Sequence, residues 1–78
     1  MTTKLKAAIH KVKGFTLTLY YDGETIYSDI KNGVYTGSLS VAENEGCLEN
    51  QSGTATLPVP ESVVEKFWAF EQAFSDSL

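Results

Sequence analysis

His10 and Cys47 are the single histidine and the single cysteine of this 78-residue chain. Structural zinc needs about four clustered nitrogen or sulfur ligands, and no CxxC or HxxxH spacing supplies them. No Asp-x-Asp loop of the calcium-binding kind occurs either. Nucleophilic catalysis would have to use Cys47 or a serine together with His10. His10 stands between Ile9 and Lys11 in a basic stretch and reads as a surface residue. Cys47 stands beside Leu48 and reads as a small apolar core residue. Glu43 and Glu45 share one expected loop, which is a weak basis for paired acid–base work. The glycines sit in turn contexts, not in a phosphate-cradling loop. The expectation is a protein that is not an enzyme, with no metal and no cofactor.

The remaining candidates bind; they do not react. Tyr20 and Tyr27 lie on strand-like segments, and Trp68 lies among Glu61, Glu65 and Glu71 near the C-terminus. Tyrosine and tryptophan are the residue types that most often anchor protein interfaces. Charge narrows the partner. All ten acids follow residue 20, and only Lys31 and Lys66 oppose them there. The other four lysines are Lys4, Lys6, Lys11 and Lys13, there is no arginine, and the net charge is −4. Phosphate backbones are held mainly by lysine and arginine, so direct nucleic-acid binding is disfavoured.

These residues need elements to hold them. The segment TTKLKAAIHKVKG predicts an N-terminal helix, with Leu5, Ala8, Ile9 and Val12 on one face. Thr2 or Thr3 would cap its start and Gly14 its end. The competing reading is a strand running into Phe15, since lysines and apolar residues partly alternate. FTLTLYY then alternates strictly, with Phe15, Leu17, Leu19 and Tyr21 on one side. Asp22-Gly23 and Asn32-Gly33 each predict a two-residue type I′ hairpin. That places Leu17 opposite Ser28, Leu19 opposite Ile26, and Ile30 opposite both Phe15 and Tyr35. It also leaves a low spot at Ser28 and Gly37, with Gly37 marking a bulge or a close approach. The opposite face would carry Thr16, Thr18, Tyr20, Thr25, Tyr27, Asp29, Val34, Thr36, Ser38 and Ser40, with Tyr20 and Tyr27 as diagonal neighbours. TATLPV offers a short fourth strand that Pro58 ends or confines to an edge. PESVVEKFWAFEQAFSDSL predicts a C-terminal helix, begun either at Pro60 or by a Ser62–Glu65 capping box. Val63, Phe67, Phe70 and Phe74 form its apolar stripe. Trp68 lies off that stripe, either folded over the sheet edge or presented to a partner.

The expected architecture is a single α+β domain spanning 1–78. It is a two-layer sandwich of N-terminal helix, three-stranded antiparallel meander and C-terminal helix, with both helices on one sheet face. A chain of this size buries only about 60% of its unfolded surface, which leaves little room for a deep substrate cavity. The lone cysteine forbids an internal disulfide, and with no signal-peptide pattern or membrane-length apolar run a cytoplasmic protein is expected. In element order the chain resembles the double-stranded-RNA-binding domain, which implies an RNA-binding module. That module grips phosphates with lysines at the start of its second helix, where this chain reads PESVVEK, with two acids and one lysine. The leading expectation is a small acidic protein-binding domain docking on a basic surface of a nucleic-acid-handling protein. Anti-CRISPR and anti-restriction inhibitors from phages and other mobile elements act in this manner. Tyr20, Tyr27, Glu61, Glu65, Trp68 and Glu71 are the candidate contacts. The rival is a structural homo-oligomeric subunit that pairs through its sheet, with the uncharged segment VYTGSLSV as the exposed edge.

Overall fold

The computed structural model describes residues 5–78. Six strands form one antiparallel sheet in sequence order: β1 (Lys6–Val12), β2 (Phe15–Tyr21), β3 (Ile26–Asn32), β4 (Tyr35–Gly37), β5 (Cys47–Glu49) and β6 (Thr56–Pro58). Helix α1 (Leu39–Glu45) interrupts the meander after β4, and helix α2 (Glu61–Asp76) follows the last strand. This overturns the expected N-terminal helix and three-stranded meander, and with them the double-stranded-RNA-binding element order.

Residues 6–12 form a strand because a tight turn folds them back onto β2. Lys13 and Gly14 both take positive φ, 50° and 85°. That is the type I′ pattern, whose twist matches a hairpin. Val12 therefore pairs with Phe15 and the ladder runs back to Lys6 opposite Tyr21. Gly14 is left-handed as expected, but as a turn residue and not a helix cap. The proposed caps Thr2 and Thr3, and Lys4, lie outside the described residues.

The other two hairpins are each displaced by two residues from the expected register. Leu17 pairs with Ile30, Leu19 with Ser28 and Tyr21 with Ile26. The cause is Asp22, whose carboxylate accepts from the backbone N–H of Glu24 at 2.9 Å and of Thr25 at 2.8 Å. This side-chain turn needs four residues, so Asp22-Gly23 cannot close as a two-residue loop. At the next turn Asn32 pairs with Tyr35 and Ile30 with Gly37. Only Gly33 is left-handed there, at φ 63°, which is the type II′ pattern. Strand side chains alternate with a period of two, so a shift of two moves every partner and no face. Leu17, Leu19 and Ile30 are fully buried as the alternation requires.

The expected third strand stops at Gly37 because Ser38 caps a helix, and β4 lies between β3 and β5, so VYTGSLSV is not the exposed edge expected of it. Its hydroxyl accepts from the Val41 N–H at 3.2 Å, and left-handed Gly46 closes the other end through Ala42. Leu39 and Ala42 are the inward residues of α1. Ser28 and Gly37 acquire separate purposes. The Ser28 hydroxyl accepts the Leu39 N–H at 3.2 Å, satisfying a donor at the helix start. A Cβ added at Gly37 would stand 3.0 Å from the Leu48 side chain, so the glycine admits β5 at close range. Between β5 and β6, Asn50 organises the loop by accepting from the backbone N–H of Thr54 and Ala55. Strand β6 is a three-residue edge that ends at Pro58.

Helix α2 starts after Pro60 without a side-chain cap, so the Ser62–Glu65 box is not used. Val63, Phe67 and Phe74 bury with Leu17, Leu19, Ile30, Leu39 and Leu48 in one core, and Phe70 packs on its margin. Two contacts tie α2 to β1. The Phe70 ring stacks on His10 with centroids 4.0 Å apart. The Lys6 ammonium donates to Ser77 and lies 5.7 Å from the Phe74 ring centre. A cation there also suits the carbonyl-rich end of the helix.

Candidate binding surfaces

The two layers divide the expected contact residues between opposite sides of the molecule. Tyr20 and Tyr27 lie on the open sheet face, directly opposite each other across β2 and β3 and not diagonally. Their rings stack with centroids 5.3 Å apart, and each is 43% exposed. The ladder extends this row to Ala7 and builds a second from Ile9, Thr18 and Asp29. A third row runs Lys11, Thr16, Lys31 and Thr36. Of the expected open-face set, Thr25 and Val34 lie in turns, while Ser38 caps and Ser40 belongs to α1.

Leu5 and Ile9 are 71% and 64% exposed, and reading residues 6–12 as a helix hides them from a sequence-based search. The detectable signal was Lys13-Gly14 between two alternating segments. A shallow depression at this end of the face is lined by Leu5, Lys6, Ala7, Tyr20, Tyr21 and Asp22. Asp22 itself is held below the ordinary carboxylate range by the backbone N–H groups of Thr25 and Glu24, with a smaller effect from the Tyr27 hydroxyl.

Glu61, Glu65, Trp68 and Glu71 all belong to α2, on the layer that covers the other sheet face. Glu61 and Glu65 are exposed. Trp68 is half-buried against the core margin, and its indole N–H is buried without an acceptor among the described residues. Glu71 is half-buried beside it, and desolvation raises its pKa. No single partner footprint on a flat surface can join these four residues to the tyrosine pair.

The layers also differ in charge. The two helices carry Glu43, Glu45, Glu61, Glu65, Glu71 and Asp76 against Lys66 alone. Strands and their connections carry Lys6, Lys11, Lys13 and Lys31 against Asp22, Glu24, Asp29 and Glu49. Among the described residues, the asymmetry that reads along the chain as basic start and acidic remainder is, in space, a neutral sheet under an acidic helical layer.

Among the described residues no group of three histidine, cysteine, aspartate or glutamate side chains could hold a metal ion. Cys47 is a free, half-buried thiol at the start of β5. No helix among the described residues is long and apolar enough to cross a membrane. Comparison with protein-family models, curated proteins and solved structures returns no match.

Proposed function

We propose that this chain is a non-enzymatic protein-binding domain whose helical layer docks on a basic surface. The observation that supports it is the concentration of six carboxylates against one lysine on α1 and α2, while the sheet stays neutral. Charge gathered on one side creates a directional field, which steers a positively charged partner onto that side. Trp68 lies beside these acids and would add apolar area at the margin of the contact. A nucleic-acid-handling protein is the natural class of partner, because its binding groove is a large basic surface. Occupying that groove would make the domain a stoichiometric inhibitor, the mode of action of anti-CRISPR and anti-restriction proteins.

The test is a pull-down at low salt with three forms of the tagged protein: wild type, Glu61→Lys with Glu65→Lys, and Tyr20→Ala with Tyr27→Ala. A partner eluted by salt, lost with the lysine form and kept with the alanine form supports the reading. A partner held equally by the lysine form, or released only with the tyrosine variant, sinks it.

A further inference from the structure

We propose that two copies of this chain pair antiparallel along β1, about a two-fold axis at Ile9, to join their sheets into one. The inference is independent of the helical docking surface.

Three observations support it. The first is the edge itself. Strand β1 has seven residues and ends the sheet order, and among the described residues nothing pairs with its outer side. The opposite edge, β6, has three residues and finishes in proline. An unpaired row of backbone donors and acceptors is a template for another strand. The hairpin phase sets which groups are free. Val12 and Phe15 flank a two-residue turn, so they form a hydrogen-bonded pair, and Val12, His10 and Ala8 direct their backbone groups toward β2. Those of Ala7, Ile9 and Lys11 face outward. Pairing about Ile9 matches these outward groups to one another: Ile9 with itself, and Ala7 with Lys11 of the second copy.

The second observation is apolar exposure at the seam. Ile9 is 64% exposed on a strand, and its twin would cover it across the axis. On the inner face the axis lies beside His10. The Phe70 ring stacked on His10 is only half-buried, and it would meet the second copy's Phe70 above the seam.

The third is charge. The β1–β2 turn end carries Lys11 and Lys13, while the β2–β3 turn at the other end carries Asp22 and Glu24. Antiparallel pairing lays each basic end against the turn of the other copy that carries Asp22 and Glu24, twice by symmetry, while Lys6 at that end is engaged with Ser77 on the inner side. Lys13 arrives opposite Leu5 of the second copy, one strand spacing from Asp22. Lys11 arrives opposite the small Ala7, whose other neighbour is Tyr20, and can extend across it over the tyrosine ring. The depression lined by Leu5, Lys6, Ala7, Tyr20, Tyr21 and Asp22 would receive these two lysines, the Lys6 ammonium being directed away to Ser77 on the inner side. No lysine of one copy stands directly opposite a lysine of the other.

Sedimentation equilibrium from micromolar to millimolar protein is the test. The wild type is expected to reach twice its 8.5 kDa mass. Ile9→Lys puts two like charges at the axis and should return the monomer, with an unchanged far-ultraviolet spectrum. Should that variant fail to fold, Lys11→Glu with Lys13→Glu changes only exposed side chains; it should weaken the dimer tenfold or more at low salt. Adding Glu24→Lys to the double variant should recover part of that loss. A wild type that stays monomeric throughout overturns the proposal. So does a dimer that survives both the Ile9 and the lysine variants.

Discussion

The open sheet face and the helical layer are made from the same chain by opposite rules. The helical layer gathers the core beneath it and six acids above it, whereas the open face carries threonines, a stacked tyrosine pair and balanced charge. Stability therefore resides mainly under the helices. The most direct way to break this contrast is to truncate one aromatic from each side. Phe67→Ala removes a fully buried ring from the centre of the core. Such a change costs ~3–5 kcal/mol. A chain of this length holds roughly 4–12 kcal/mol in total. The variant should be largely unfolded or melt far below wild type in urea. Tyr20→Ala loses only a stacking partner on an exposed face, worth about 0.5–1.5 kcal/mol. Equal losses of urea midpoint for the two variants would erase the distinction between the layers.

A second break concerns how the two ends of the sheet differ. The first three strands have seven residues each and the last three have three each, so the short half needs other support. Gly37 provides it by letting Leu48 approach. Gly37→Val places branched atoms where a single Cβ already stands 3.0 Å from Leu48. Overpacking of this kind costs about 1–3 kcal/mol. Hydrogen exchange should accelerate in β4, β5 and α1 before it does in β1 and β2. Uniform acceleration across all six strands would mean that the two ends unfold as one unit.

The long-strand half is held at its far turn by charge, and pH reads that out. The folded-state pKa of Asp22 lies below its ordinary value of 3.8, chiefly through the N–H groups of Thr25 and Glu24. A depressed carboxylate contributes stability that is present above the unfolded value and lost as pH falls through the folded one. Asp22→Ala should therefore lower the melting temperature at neutral pH. The gap from wild type should close in acid, below the depressed value. A gap that stays constant down to that acid range would show that the turn is held by shape and not by the ionised carboxylate.

How much of this was legible before the fold was known depends on whether the deciding contact is local. The alternation of Phe15, Leu17 and Leu19 is local, so the buried face was readable even with both registers displaced by two. The segment KAAIHKV is ambiguous by itself, since Ala8, Ile9 and Val12 fit a helical stripe as well as a strand. Its state is decided by the Lys13-Gly14 turn and by pairing with β2. Helix α1 was hidden for a different reason. Only Leu39 and Ala42 point inward, too few to show a period, and the informative marks were Ser38 and Gly46 at its two ends. The candidate contacts were legible as residue types but not as a surface. Strand alternation placed Tyr20 and Tyr27 together, and helical periodicity placed Glu61, Glu65, Trp68 and Glu71 together. Nothing local told that the sheet would separate the two groups.

The smallest expected effect tests whether the acidic layer is maintained against stability. Burial raises the pKa of Glu71 above its ordinary value of 4.5, and desolvation is the cause among the described residues. A carboxylate whose folded pKa is raised favours the protonated form on folding, so its ionised form costs stability. That cost is complete above the raised folded value. It declines as pH falls toward 4.5 and is absent below it. Glu71→Gln keeps the side-chain shape and removes the charge. It should raise the melting temperature slightly at neutral pH, with no difference from wild type well below pH 4.5. The same substitution should weaken binding to a basic partner, because a partly desolvated carboxylate gains from an incoming cation. A variant that is more stable yet binds less well is the outcome expected of a surface retained for binding. If Glu71→Gln stabilises the chain and leaves binding unchanged, the acidic layer extends no further along α2 than Glu61 and Glu65, and the contact lies toward α1.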